Sequence, residues 1–183
     1  MFQKIVSIIF FILLFPIMLF IPLIILFFDG RPIFYKQKRV GKGNTIFYMF
    51  KYRTMLNGVG DIPKSHVINP KSLLTLSGKI LRKYSIDELP QLFNVVKGDM
   101  NLIGYRPCLP NEKDVIEKRE KYSLHKYKPG ITGWAQINGR DKISVEDKAL
   151  LDAYYYANHS LFLDIRILFK TLYVVVFKKN ISH

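Results

Sequence analysis

Residues 5–28 contain 21 apolar side chains, one serine, two prolines and no charge. Whatever else the chain does, it has to place this run. As one helix it would extend about 36 Å at 1.5 Å per residue, enough to cross roughly 30 Å of hydrocarbon. A cleaved signal fits poorly, because a signal's apolar core covers roughly 7–15 residues and ends in small side chains. This run ends in Phe27-Phe28-Asp29-Gly30. Pro16 and Pro22 lie inside it. Each lacks an N–H and presses its ring on the carbonyl four residues back, so a bend is expected. Lys4 precedes the run, and Arg31, Lys36, Lys38, Arg39 and Lys42 follow it. The positive-inside tendency puts the following domain in the cytoplasm, and keeps the amino terminus there too if the helix turns back at a proline. The residues alone leave spanning and re-entrant geometries equally open.

Of the 28 basic residues, 27 lie beyond residue 28, and the chain has a formal net charge of +14. That division gives two parts: residues 1–29 as a membrane-embedded helix, and residues 30–183 as one basic domain. The single cysteine, Cys108, excludes a disulfide framework and a cysteine-based zinc site. The four histidines have no metal-ligand spacing. Basic charge alone would suit nucleic acid, but no zinc, helix-turn-helix or RNP-like pattern is present and the apolar run argues for lipid, so no nucleic-acid partner is expected.

Local signals predict an α+β domain, mostly helical. Residues 33–37 and 45–50 are β-prone, and Gly41-Lys42-Gly43-Asn44 between them is turn chemistry, giving a hairpin just outside the membrane. Residues 57–70 read as a mobile loop, 77–84 as a short basic helix, and 91–96 as a helix stopped at Lys97-Gly98-Asp99. A charged helix over 111–127, an irregular glycine-rich stretch over 128–140, and helices over 144–158 and 161–178 follow.

The chemistry-bearing segment runs from Lys79 through Arg82, Lys83, Ser85, Asp87 and Glu88 to Pro90. One reading is a helix cap, either a Ser85-x-x-Glu88 box or Asp87 capping a helix in which Pro90 is the third residue. Another is a helix start offering N–H groups and partial positive charge to a phosphate, beside a carboxylate able to attack phosphorus. Glu88 as a second oxygen donor could hold Mg²⁺, which binds through one or two carboxylates and substrate phosphates. Lys51, Arg53 and Arg106 are further phosphate candidates, and Arg106-Pro107 fixes a backbone next to a guanidinium. Lys51 and Arg53 equally fit a solvated strand face, and Arg106 a surface turn. Residues 128–140 hold three glycines, Trp134, Gln136, Asn138 and Arg140. Trp134 could stack on a base whose edges the amides read, or close a loop over the core.

Three motifs in order carry a resemblance: Ser85-x-Asp87-Glu88-Leu89-Pro90-Gln91-Leu92-Phe93-Asn94 with Gly98-Asp99-Met100, then Gly104-x-Arg106-Pro107, then Pro129 through Trp134, Gln136 and Asn138 to Gly139-Arg140. They resemble the bacterial sugar transferases, small monotopic phosphoglycosyl transferases, and the similarity extends through Gln37-x-Arg39-x-Gly41 and Lys51-x-Arg53 to Leu151-Asp152-x-Tyr154-Tyr155. The resemblance implies attack by Asp87 on the sugar-bearing phosphate of a UDP-sugar, release of UMP, and transfer of the phosphosugar to polyprenyl phosphate. It further implies that Glu88 helps bind Mg²⁺ and that Lys51, Arg53, Arg82 and Arg106 hold phosphate. Pro107, Trp134, Gln136, Asn138 and Arg140 would face the nucleotide or substrate. Pro16 would break a re-entrant helix entering and leaving on the cytoplasmic face of the bacterial inner membrane, among lipids. The short amino terminus keeps a second reading open, a shortened paralogue serving as a membrane-anchored binding module.

Overall fold

The computed structural model describes residues 2–58, 70–139 and 143–177. Its first element, α1, is one helix from Phe2 to Asp29 with Pro16 and Pro22 inside it. The chain stays helical through both prolines, so the interruption expected at Pro16 is not seen as a change of secondary structure. A single stripe faces the domain: Ser7, Met18, Ile21 and Ile25 are buried, and Phe10, Phe11 and Leu14 pack partly against the same core. Steps of three and four residues put these positions on one side of a helix. The other sides are apolar and bare, with Leu13 67% and Phe27 83% exposed. Apolar exposure on this scale marks a surface made for lipid or a partner, and α1 is long and apolar enough to cross a membrane by length and composition.

Both ends of α1 are fastened to the domain. Near its start, Gln3 Nε2 donates to Tyr155 Oη at 3.0 Å and to Asp164 Oδ2 at 2.9 Å, while its Oε1 accepts from the Ile103 N–H at 3.3 Å. At its end, Asp29 accepts from the Ser77 hydroxyl. In between, Tyr52 Oη donates to the Met18 carbonyl at 2.9 Å. Met18 is four residues before Pro22, so this is the carbonyl that proline's missing N–H leaves without its helical partner. A hydroxyl from the domain fills the gap.

The domain opens with β1 (Phe34–Val40) and β2 (Ile46–Tyr52), an antiparallel hairpin pairing Phe34 with Tyr52 and Val40 with Ile46. Alternation along β2 buries Phe47 and Met49 and carries Lys51 on the same face. Then come α2 (Leu76–Lys83) and α3 (Gln91–Lys97). Asn94, fully buried on α3, accepts from the Phe50 N–H at 3.1 Å and donates to the Tyr48 carbonyl at 2.7 Å. One amide side chain thus extends the sheet and fixes α3 against β2.

Next, β3 (Asn101–Ile103) pairs in parallel with β4 (Gly130–Thr132), and α4 (Lys113–Lys121) lies between them in sequence. The last described elements are α5 (Trp134–Ile137), α6 (Val145–Ala157) and α7 (Leu161–Phe177). Two expectations are corrected. Residues 128–139 are not irregular but hold a strand and a helical turn. The charged helix stops at Lys121, because Ser123 takes φ 57° and a short 3-10 turn over Leu124–Lys126 follows. Glycine explains the first: a Cβ at Gly130 would lie 2.1 Å from the Gly104 nitrogen, and one at Gly133 2.0 Å from the Gly104 carbonyl oxygen. These glycines let the 104 and 130–133 backbones meet. The loop expected over 57–70 lies, for residues 59–69, outside the described residues.

Candidate active site

The loop joining α2 to α3 carries the two acidic residues. It is not a cap of either kind expected. Ser85 sits in the left-handed region at φ 54° with no side-chain capping bond, Ile86–Glu88 form one 3-10 turn, and Pro90 is the residue that caps α3. At that position, before the first intrahelical N–H bond, proline's missing N–H is not needed. Ile86 and Leu89, on either side of the carboxylates, pack onto Ile21 and Ile25 of α1 together with Tyr52 and Leu81. The acidic turn therefore shares one apolar cluster with the membrane-length helix.

Glu88 is the charge hub. Lys51 Nζ reaches its Oε1 at 2.9 Å and Arg106 Nη2 reaches the same oxygen at 3.0 Å. Burial favours the protonated acid, but the two adjoining cations prevail and hold Glu88 well below the usual carboxylate range. Burial pushes the Lys51 ammonium down, against the pull of Glu88. Asp87 next door is 6% exposed. Burial raises its carboxyl to about 6, opposed by Lys51, reinforced by Glu88, and opposed again by Arg82 and Arg106. Arg82 is held in place by donation from Nε to Thr54 Oγ1 at 2.8 Å. Neighbouring carboxylates thus have opposite shifts, a pattern that concentrates at catalytic sites.

Asp87, Glu88, Lys51, Arg82 and Arg106 accordingly lie close together. Arg53 is placed elsewhere. Its Nη1 donates to the Arg31 carbonyl at 2.7 Å and Asn57 Oδ1 at 2.8 Å, and its Nη2 to the carbonyls of Asp29 and Gly30 at 2.5 and 2.9 Å. A buried cation at the negative end of the α1 dipole closes the helix exit, in a helix with no basic residue in its own last turn. Arg53→Lys is expected to lower the thermal midpoint by several degrees, since one ammonium cannot serve these carbonyls, each charged hydrogen bond being worth about 1.5–3 kcal/mol. Donor KM should not change. A raised KM at unaltered stability would return Arg53 to phosphate binding.

Among the remaining predicted residues, Trp134 stacks on Tyr154 at 5.9 Å with the Arg166 guanidinium 5.4 Å from its ring centre. Asn138 donates to the Trp134 carbonyl at 2.9 Å and accepts from Lys170 Nζ at 2.8 Å. Gln136 has both amide atoms buried without a hydrogen-bond partner. These contacts bind the segment to α6 and α7. Arg140 lies outside the described residues. Pro107 is buried, and its carbonyl accepts from Arg39 Nη1 at 2.9 Å. The sequence reading gave no role to Arg39 or to Arg119, which donates from Nη2 to the Arg106 carbonyl. Nothing local distinguishes Arg119 from Lys118 and Lys121 on the same helix.

The domain thus joins a membrane-length helix to an acidic turn flanked by three cations. The bacterial sugar transferase model matches residues 1–178, and the chain belongs to that family. It is 44% identical over 153 residues to the uncharacterized sugar transferase EpsL of Bacillus subtilis, covering 84% of this chain and 74% of the other. It is 33% identical over 194 residues to the exopolysaccharide production protein ExoY of Sinorhizobium fredii, covering 98% and 85%. With the undecaprenyl-phosphate galactose phosphotransferase of Salmonella typhimurium it shares 36% identity over 163 residues, 81% of this chain but 34% of that much longer protein.

Proposed function

We propose that this protein moves a sugar-1-phosphate from a UDP-sugar to a polyprenyl phosphate, on the cytoplasmic face of the bacterial inner membrane. The observation that carries the reading is the apolar cluster through which Ile86 and Leu89, flanking Asp87 and Glu88, are joined to Ile21 and Ile25 of α1. An acceptor with its chain in lipid and its phosphate at the surface needs its reaction partner at that height. Related proteins named as undecaprenyl-phosphate phosphotransferases support the acceptor class.

In the first half-reaction, an ionised Asp87 oxygen attacks the sugar-bearing phosphorus. The bond from that phosphorus to the bridging oxygen breaks, UMP leaves with the oxygen, and an aspartyl phosphosugar remains. In the second, an oxygen of the polyprenyl phosphate attacks the same phosphorus. The bond to Asp87 breaks, restoring the carboxylate and giving polyprenyl diphosphate sugar. Lys51, Arg82 and Arg106 balance charge on the transferring group. Pro107, Trp134, Gln136, Asn138 and Arg140 are assigned to the nucleotide or substrate side, and the buried Gln136 amide, without a protein hydrogen bond, is the polar group left there to bond.

Glu88 fits Mg²⁺. Both cations meet its Oε1, its side chain keeps 15% of its surface exposed, and no cluster of three or more metal-ligating side chains occurs among the described residues. That donor set suits an ion completed by substrate phosphate and water. Such an ion would supply charge neutralisation on the diphosphate.

With Gln3 and Asp29 both bonded to one domain, α1 is assigned a re-entrant course. A straight crossing would carry one end away from its partners.

The test is acceptor-free release of UMP from a panel of UDP-sugars. One equivalent per enzyme is expected, with the sugar phosphate retained on protein. Because Asp87 must lose its proton to attack, the rate of this burst should fall as pH drops through about 6, about two units above an ordinary aspartate. UMP appearing only when acceptor is present would overturn the covalent route.

A further inference from the structure

We infer that Arg39 and Arg119 are positioning residues, which hold the loop that delivers Arg106 to Glu88. The inference rests on the reading of Asp87 and Glu88 as the reacting centre. It comes from where two inward-turned guanidinium groups spend their hydrogen bonds. Arg39, on β1, donates from Nη1 to the Pro107 carbonyl at 2.9 Å and from Nε and Nη2 to Gln37 Oε1. Arg119, on α4, donates from Nη2 to the Arg106 carbonyl and lies over Tyr105, 4.5 Å from the ring centre. Consecutive carbonyls of one loop are therefore gripped from two separate elements. A further bond, from the Val40 N–H to the Cys108 carbonyl at 3.0 Å, joins the loop to the end of β1.

The loop needs such support. Residues 104–109 follow a strand of three residues and have no regular structure of their own. Yet the Arg106 side chain has to arrive within 3.0 Å of Glu88. Proline at 107 fixes one backbone torsion but cannot fix where the loop lies. The two arginines can, because a planar fork bonded to a carbonyl sets both distance and direction. Tyr105 provides a rigid base: it is 1% exposed, and its hydroxyl donates to the Tyr127 carbonyl at 3.1 Å. Arg119 is also felt by the buried Asp152 of α6, which accepts from the Ala135 N–H. The same charge cluster thus links the Arg106 loop to the start of α5. Neither arginine touches the carboxylates, so each acts through Arg106.

A double-mutant cycle tests this. Arg119→Ala and Arg39→Ala should each slow the acceptor-free burst by roughly tenfold to a hundredfold, the range of a lost positioning contact. In an Arg106→Ala background neither should slow it further. Independent, multiplicative losses would overturn the inference. Arg119→Lys and Arg39→Lys serve as folding controls: the charge stays, the fork is lost, and the burst should still slow. Full activity in both lysine variants would also overturn it. Hydrogen exchange supplies a readout that needs no turnover. Amides of residues 104–109 should lose protection in each variant while those of α3 and α6 keep theirs. If the wild-type protein released no UMP from any donor, the proposed reaction would fall while the exchange result still decided whether the arginines hold the loop.

Discussion

Asp87→Asn should abolish UMP release and make the protein more stable. The amide cannot form the acyl phosphate, and removing a covalent nucleophile typically costs roughly 10⁴–10⁶-fold in turnover. The stability gain follows from linkage. In the folded protein burial lifts the Asp87 carboxyl from 3.8 to about 6, so the folded state holds its proton more tightly than the unfolded chain does. The associated stability is complete below the ordinary aspartate range and is lost as pH rises through about 6. At pH 8 the native protein bears the cost of a buried, ionised carboxylate, and asparagine removes it. The gain should be at most about 3 kcal/mol at 1.36 kcal/mol per pKa unit. Thermal melts of both proteins at pH 5 and pH 8, with quantified UMP, check both halves. A variant more stable at pH 8, more stable by roughly half as much at pH 5, which lies between the unfolded and folded values, and inactive at either is the expected result. Ordinary turnover by the asparagine protein would remove Asp87 from the mechanism.

Glu88→Gln should be damaging in the opposite sense. It leaves the Lys51 and Arg106 charges, both now meeting at one Glu88 oxygen, without an anion in a largely buried place. Breaking such an arrangement from one side costs about 3 kcal/mol or more. Activity should drop by roughly a hundredfold or more through loss of charge balance at phosphorus, and the Mg²⁺ concentration giving half-maximal rate should rise. One change should run the other way. Glu88 is among the groups raising the Asp87 carboxyl, so without it the acid limb of the residual burst should move to lower pH. A limb that stays put or climbs would show that Glu88 does not act on Asp87 as a neighbouring negative charge.

Much of this architecture is legible in the chain because its signals are local. Alternation and turn residues announce the hairpin, and α2, α3, α6 and α7 follow from periodicity and stop signals. The motif residues Asp87, Glu88 and Arg106 are found by type and spacing. What escapes a local reading is decided across long separations. Lys51 and Arg53 share one strand face by parity, yet one meets Glu88 and the other α1, a difference set by how a helix 24 residues upstream returns to the sheet. The pairing of β3 with β4 depends on glycines nearly thirty residues apart accepting backbone in place of side chain. The capping reading failed for a related reason. Ser85 adopts a left-handed conformation that ends α2 before any cap can form, and propensity gives no warning of it.

The hydroxyl of Tyr52 inserted at the Pro22 gap ties the apolar helix to the sheet that carries Lys51. Exchange of the first thirty residues for a generic hydrophobic tether would still deliver the polypeptide to a bilayer. It would also strip the acidic turn of the Ile21 and Ile25 floor beneath it and leave a buried phenol with nothing to bond. Swapping leaders between paralogues therefore has to preserve that interlocking seam, not hydrophobicity alone.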